Sequence, residues 1–196
     1  MKTNVHEREG NTTTMERPRH GEQSGQTNSP GQAEMMKKME AAGRPGPAHE
    51  ALKALAGNWK AEVKCWMDPK GSPEVSQGTA SARWILNGRF LEEEFHGEMM
   101  GRPFAGRTLL GYDNTKQTFN SVWMCDTQTS MFVSEGKGDG NKVITLEGKA
   151  TCPATERKDI PMKTVLRVIN PDKHILEMFD GSQGNAKTME ITYTRQ

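Results

Sequence analysis

The chain has 196 residues, and its 26 basic against 25 acidic side chains give a net charge of +1. This length fits one domain, and the two signs of charge are interleaved, so nothing favours nucleic-acid binding, which relies on clustered positive charge. Charged residues make up 26% of the chain and no apolar run approaches the roughly 18 residues that a membrane helix needs, so we expect no membrane span.

Residues 1–32 are predicted to be a disordered tail. Between Glu9 and Gln32 the side chains are almost all small or polar, and Met15 is the one sizeable apolar exception. Such a stretch cannot bury enough apolar surface to offset the entropy that ordering it would cost.

The start of the chain and its cysteines predict a cytoplasmic location. No apolar segment of about 7 to 15 residues, as a secretory signal has, follows the charged first residues. Cys65, Cys125 and Cys152 are odd in number and widely spaced, with no C-x-x-C pair, as in a reducing compartment.

Residues 33–56 are predicted to form a short helical segment and a linker. Positions 33–42 are good helix formers with methionines on one face, and Gly43 and Pro45 end the run. Two roles stay open for this helix: it packs on the outside of the main domain, or it docks on a partner. The second run, 49–56, is expected to lie across one end of a barrel.

Residues 57–196 predict an all-β domain, an up-and-down antiparallel β-barrel of about ten strands. Extended runs of alternating side chains follow one another at intervals of about a dozen residues, separated by turns rich in Gly, Asn, Asp and Pro. Asn87-Gly88 is the strongest tight-hairpin signal. Closing such a meander needs no long crossover and leaves no exposed edge. The predicted runs are 59–65, 79–86, 89–96, 104–112, 118–125, 130–135, 142–149, 161–169, 174–180 and 187–195.

The run 89–96 does not reveal which of its faces looks inward, because both faces carry apolar residues. Glu92, Glu94 and His96 share one face at a spacing that lets two neighbours reach a hard cation. The favoured interpretation is a solvated face whose glutamates pair with nearby arginines. We therefore predict no metal site, and no nucleophile-and-base pattern points to a catalytic residue.

The function predicted for this barrel is to bind a small apolar or amphipathic molecule. Thirteen methionines suit an adaptable pocket, although they suit a filled core equally well. Two alternatives stay open. The protein is an enzyme whose carboxylates at the barrel mouth act on a hydrophobic small molecule, or it is a structural protein with a filled barrel that assembles with other copies, for example as a homodimer. The predicted wall is Trp59, Trp123, Met178 and Tyr193, and the predicted polar group is Glu94 or His96.

Several motifs resemble a bacterial family catalogued as domain of unknown function 1579. They are Pro45-Gly46-Pro47, His49-Glu50, Gly57-x-Trp59, Trp66-Met67-Asp68-Pro69, Gly88-Arg89-Phe90-Leu91, Gly111-Tyr112-Asp113-Asn114, Ser134-Glu135-Gly136 and Met189-Glu190-Ile191-Thr192-Tyr193-Thr194-Arg195. The resemblance implies a calycin-like barrel of about ten strands and no established activity.

The Gly57-x-Trp59 opening is also similar to that of lipocalins, fatty-acid-binding proteins and haem-binding nitrobindins, in which the Trp closes one barrel end. In nitrobindin-like barrels a His near the C-terminal strand ligates haem iron. This chain has no His after His174, so we expect no haem and no other cofactor.

Overall fold

The computed structural model describes residues 29–140, 142–153 and 155–196, so the predicted disorder of 1–28 lies outside the described residues. The first helix, α1, spans Pro30–Ala42 and begins three residues before the predicted start. Its first turn is closed by a capping box, because the Gln32 amide donates to the Ser29 hydroxyl (3.4 Å) and the Gln32 side chain accepts from the Ser29 amide (2.9 Å). Ser29–Gln32 therefore belong to the helix start and not to a tail.

Ten antiparallel strands close into one barrel in chain order, which confirms the predicted fold class. Each strand pairs with the next, and the last pairs with the first. The strands are β1 (Gly57–Cys65), β2 (Glu74–Ile85), β3 (Phe90–Met99), β4 (Arg102–Asp113), β5 (Thr118–Cys125), β6 (Phe132–Gly138), β7 (Val143–Cys152), β8 (Arg157–Asn170), β9 (Lys173–Asp180) and β10 (Ala186–Arg195).

The hairpin at Asn87-Gly88 has a four-residue loop instead of a two-residue turn. Ile85 and Phe90 form its last cross-strand pair. Three successive residues take positive φ, namely Leu86 (48°), Asn87 (57°) and Gly88 (78°). Gly and Asn tolerate this left-handed backbone well, which explains why they mark the turn.

A second short helix, α2 (Pro47–Ala51), and a 3-10 turn, Leu52–Leu55, lie across one end of the barrel. Leu52 is fully buried in a cluster of inward side chains that includes Leu110 and Ile144. The Trp59 indole donates a hydrogen bond to the Leu55 carbonyl (2.9 Å), which ties the turn to β1. We call this the closed end, and the opposite end, where β1 leads into β2, the open end.

Helix α1 adds nothing to the barrel core, because none of its residues is buried. The Asn114 side chain tethers its C-terminal end by donating to the carbonyls of Ala42 (2.8 Å) and Arg44 (2.9 Å). Within the described part of the chain, the helices are too short or too polar to cross a membrane.

Candidate functional site

The pairing register decides which side chains face the inside of the barrel, which we call the lumen. Trp59 pairs with Ala80, and Ala80 pairs with Phe95. All three are buried, so this row points inward. Because side chains alternate along a strand, Leu91 and Glu93 on β3 also point inward.

Glu94 and His96 lie on the outer face of β3, and not in the lumen where the sequence analysis placed one of them. Both are exposed. Arg107 reaches Glu94 (3.3 Å) and Glu92 (3.4 Å), Arg83 pairs with Glu92 (2.8 Å), and His96 is 3.5 Å from Glu94. This is the solvated face of ion pairs that the sequence favoured over a metal site. The described residues contain no cluster of three His, Cys, Asp or Glu side chains that could hold a metal.

The other four predicted site residues all face inward, at two levels. Trp59 and Tyr193 are 0% and 2% exposed and form the base of the lumen above the closed end. Trp123 and Met178 lie nearer the open end and are only partly buried. The structure therefore brings the predicted wall together but separates it from the predicted polar group.

Aromatic rings lie flat against the barrel wall, over glycines of the same strand or of a neighbouring strand. A Cβ atom at Gly78 would be 2.7 Å from Phe95 Cζ, and one at Gly97 would be 2.9 Å from Phe95 Cε1. The six-membered ring of Trp123 covers Gly106 in the same way. Because these glycines give the rings room along the wall, the rings do not need to project into the centre.

The lumen is accessible between the base and the open end. Many inward side chains in this region keep part of their surface exposed. The closed end has a buried cluster that includes Leu52, Leu110 and Ile144, with Trp84, Tyr112, Leu166 and Val168 partly buried around it. An interior that side chains filled completely would bury this whole set. The accessible inward residues are Glu93, Thr108, Ser121, Trp123, Met162, Leu176, Met178 and Ile191.

Sulfur-containing side chains are concentrated at the inward face of the open end. Cys65 pairs with Met189, which pairs with Met178. Cys125 and Cys152 are the last residues of β5 and β7, at the same end. Burial, together with the nearby Glu74 carboxylate, raises the pKa of the Cys65 thiol. The mouth is therefore lined by polarizable, neutral groups that can adapt to different shapes.

Glu93 is the inward carboxyl group that the sequence analysis missed. Its cross-strand neighbours are Ala82 and Thr108, neither of which carries a charge. The Tyr193 hydroxyl lies 3.5 Å from Glu93 Oε1 and donates to it. Burial raises the pKa of Glu93 to about 7, and the Tyr193 hydrogen bond only partly opposes this.

A stack of rings continues from Tyr193 into the base. His174 stacks on Tyr193 with ring centroids 4.3 Å apart and meets Trp59 edge-on at 4.4 Å. Burial, with a smaller contribution from Arg195, lowers the pKa of His174 to about 4. His174 is therefore a neutral ring at physiological pH and gives Glu93 no positive charge.

Thr164 supplies a second polar position in the lumen wall. It pairs with Met178 and Leu146, both inward, and is buried. Its hydroxyl has no hydrogen-bond partner among the described residues. Since β8 lies five strands from β3 around the ten-stranded barrel, Thr164 and Glu93 belong to opposite walls.

A separate cleft of about 390 Å³ lies at the closed end, between α2 and the ends of several strands. It is lined by Tyr112 and by Lys116, Lys137 and Lys142 among others. Lys116 pairs with Glu135 (3.6 Å), and Lys142 reaches a backbone carbonyl (3.5 Å). Its lining includes the inward side chains Tyr112, Phe119, Ile144 and Val168 but none of the predicted site residues.

Comparison with known proteins identifies a family. The family model described as "Protein of unknown function (DUF1579)" matches residues 44–195. No curated protein matches the chain.

The chain is similar to three solved structures, two of which are described as designed beta barrels. A redesigned beta barrel is 14% identical over 74% of this chain and 95% of its own, with a TM-score of 0.40. A de novo designed fluorescence-activating beta barrel is 13% identical over 74% and 97%, with a TM-score of 0.43. EF1p2_mFAP2b bound to DFHBI is 13% identical over 76% and 98%, with a TM-score of 0.41. Likeness at this level carries no argument about function.

Proposed function

Because the chain belongs to the DUF1579 family, whose description assigns no activity, we propose a function from the lumen: the barrel binds a small apolar or amphipathic molecule. The observation that carries this proposal is the set of inward side chains that stay accessible between the base and the open end. A protein that needed the barrel only as a scaffold would gain stability by filling this space.

The apolar body of the ligand would lie against Trp123 and Met178, with Trp59 and Tyr193 below it. Flat aromatic surfaces and thioethers suit an apolar ligand whose shape is not tightly specified. Glu94 and His96 are outside the lumen and cannot make the polar contact that the sequence analysis assigned to one of them. We assign this contact to Glu93, which points into the lumen.

The cellular setting is a proposal of the same kind. Cys65 and Cys125 are thiols on the wall of the lumen, not partners in a disulfide. This use of cysteine favours a reducing compartment, and we place the protein in the cytoplasm of a bacterial cell. A homodimer stays a prediction, which light scattering after size-exclusion chromatography would test.

The experiment compares a variant that fills the lumen with a matched variant on the outer face. Ser121→Phe adds a ring at an accessible inward position, and Val122→Phe adds the same ring one residue along, facing outward. The probe is Nile red, a neutral apolar dye, followed by its fluorescence and by quenching of Trp123. We expect Ser121→Phe to weaken binding by at least about tenfold and Val122→Phe to leave it unchanged, because only the first ring competes for the lumen.

Equal dye affinity in the wild type and both variants would place the dye outside the barrel and contradict the proposal. Thermal unfolding of each variant shows that it is folded. Native mass spectrometry of freshly purified protein adds an independent measurement, because a bound organic molecule should be present in the wild type and lost from Ser121→Phe.

A second candidate function, an enzyme acting on a hydrophobic small molecule, is favoured by Glu93 alone. A carboxyl group with a pKa of about 7 can both accept and donate a proton near neutral pH. If Glu93 performs chemistry, the Glu93→Gln variant should retain a compound that the wild type converts. Mass spectra of the molecules released from the two proteins distinguish the cases, because a pure binding protein releases the same compound from both.

A further inference from the structure

The lumen contains a carboxyl group that has no positive partner. Glu93 points inward between two uncharged neighbours, and its hydrogen-bond partner within the described chain is the Tyr193 hydroxyl. No basic side chain among the described residues forms an ion pair with it. A carboxylate that is buried without a compensating charge is costly, so the site favours any ligand that brings such a charge.

The other ionisable groups at inward positions do not supply this charge. Arg195 lies over the Trp59 ring (4.2 Å) and donates to the carbonyls of Ala56 (3.1 Å) and Pro171 (2.7 Å), at the closed end. His174 is neutral because burial lowers its pKa. These groups are held in the base, so an anionic ligand head would find no available cation beside Glu93.

Asp180, at the open end, adds a further negative group. It accepts hydrogen bonds from the Ser182 amide (2.8 Å) and the Gln183 side chain (2.7 Å), and Arg157 approaches it at 3.8 Å. Its charge is thus compensated by its own loop. The register also places Glu74 and Arg102 at inward positions on the rim of the open end, where both are exposed to solvent. Below this rim, Glu93 is therefore the inward carboxyl group whose charge no described basic side chain compensates.

We propose that the ligand of this barrel is an amphipathic amine, whose protonated nitrogen pairs with Glu93 and whose apolar body lies between Trp123 and Met178. This inference rests on the proposed function and names its ligand class. An ammonium group has three donors and no acceptor, which matches the carboxylate oxygens of Glu93. The same contacts disfavour a fatty acid, because its carboxylate would face that of Glu93.

The proposal has a pH signature that a purely apolar site lacks. The groups that face Glu93 are Ala82 on β2, Thr108 on β4 and Tyr193 on β10, and burial and Glu93 raise the pKa of Tyr193 well above its usual value. Glu93 is therefore the group among them that titrates near pH 7. An alkylamine stays protonated far above this pH, so its affinity should fall as the pH decreases and Glu93 takes up a proton.

The test compares three head groups on one chain: decylamine, decanol and decanoate, each below its micellar concentration, titrated calorimetrically into the full-length protein at pH 5.5 and 8.5. At pH 8.5 we expect decylamine to bind at least about tenfold more tightly than decanol, and decanoate to bind least tightly. The Glu93→Gln variant should bind decanol as the wild type does and lose the preference for the amine. The matched Glu94→Gln variant, with the same change on the outer face, should keep it.

Each other outcome overturns a defined part of the reasoning. Equal affinities for the three compounds in the wild type, or a preference for decanoate, would overturn the amine inference and leave ligand binding intact. A preference for decylamine that persists in Glu93→Gln would show that the amine binds elsewhere. If none of the three compounds binds, the proposed function fails, and this inference fails with it.

Discussion

Replacing Glu93 by Gln should stabilise the empty barrel, and the gain should grow with pH. The folded state raises the pKa of Glu93 from 4.5 to about 7, so it holds the proton more tightly than the unfolded chain does. Stability is therefore unaffected by this group below pH 4.5 and decreases as the pH rises from there to 7 and above. Gln has nearly the same shape, still accepts the Tyr193 hydrogen bond and cannot ionise.

The size of the effect follows from the shift. About 2.5 pKa units at 1.36 kcal/mol each give at most about 3 kcal/mol above pH 8, and the partial exposure of Glu93 lowers this towards about 2. At pH 5 the difference between the two proteins should be less than about 1 kcal/mol. Urea unfolding of the wild type and Glu93→Gln at pH 5, 6, 7, 8 and 9 measures the difference directly.

The comparison within each pH removes the contributions of other titrating groups. His174 also makes stability depend on pH, but it is present in both proteins and cancels in their difference. Glu94→Gln serves as the control, because Glu94 is exposed on the outer face and the loss of its exposed ion pair with Arg107 should cost at most about 1 kcal/mol. A difference for Glu93→Gln that does not grow between pH 5 and 9 would refute the buried, unpaired carboxyl on which the electrostatic reasoning depends.

Three further variants test the wall of the lumen. The folded state lowers the pKa of His174 from 6.5 to about 4, so the free energy of unfolding of the wild type should decrease as the pH falls through this window. Urea unfolding at pH 7 and 4.5 measures this decrease, which should be about 2 kcal/mol smaller in His174→Gln than in the wild type. Thr164→Val replaces a buried hydroxyl that has no hydrogen-bond partner among the described residues, so it should raise the free energy of unfolding by about 1 kcal/mol. Urea unfolding measures this change, and a lower free energy of unfolding would contradict the prediction. Gly106→Ala should cost about 1 to 3 kcal/mol, because the new methyl group displaces the Trp123 ring, and an unchanged indole emission spectrum would count against that packing.

The strands were predictable because their signals are local. Alternation of side chains and turn residues act within a few positions, and ten runs were recognised where the described residues form ten strands. The helix start at Ser29 was missed because its neighbours have the composition of a disordered segment, which hid the capping contacts with Gln32. Amino-acid composition is a property of a long stretch of chain, whereas this helix cap depends on the contacts between only two residues, Ser29 and Gln32.

The polar group of the site was misplaced because of Phe90. Phe90 lies on the outer face of β3, where its ring covers Gly111 of the next strand, and this apolar residue made the outer face resemble an inner one. The pairing register of β2 and β3 indicates which face of β3 points inward. The Asn87-Gly88 turn sets Ala82 opposite Glu93, and residues that form a cross-strand pair lie on the same face of a sheet, so Glu93 shares the face of Ala82 and its apolar neighbours on β2.

The remaining question is why a barrel should keep a carboxyl group that lowers its stability. At neutral pH the empty protein would be more stable with Gln at position 93, so nothing in the packing of Ala82, Thr108 or Tyr193 requires an acid. A cationic ligand reverses the balance, because it stabilises the ionised form and binds only the folded chain.

The stabilisation that the amine adds should therefore change with pH in the opposite direction to the stability of the empty barrel. As the pH rises from 5.5 to 8.5, the contribution of Glu93 to the stability of the empty protein decreases, while decylamine at about 100 times its dissociation constant at pH 8.5 adds about 2.7 kcal/mol there and less at pH 5.5. Thermal unfolding with and without decylamine measures both trends. In Glu93→Gln the extra stabilisation at high pH should vanish, because the group that couples proton release to amine binding is gone. If the amine stabilised both proteins equally at both pH values, Glu93 would have no part in holding it.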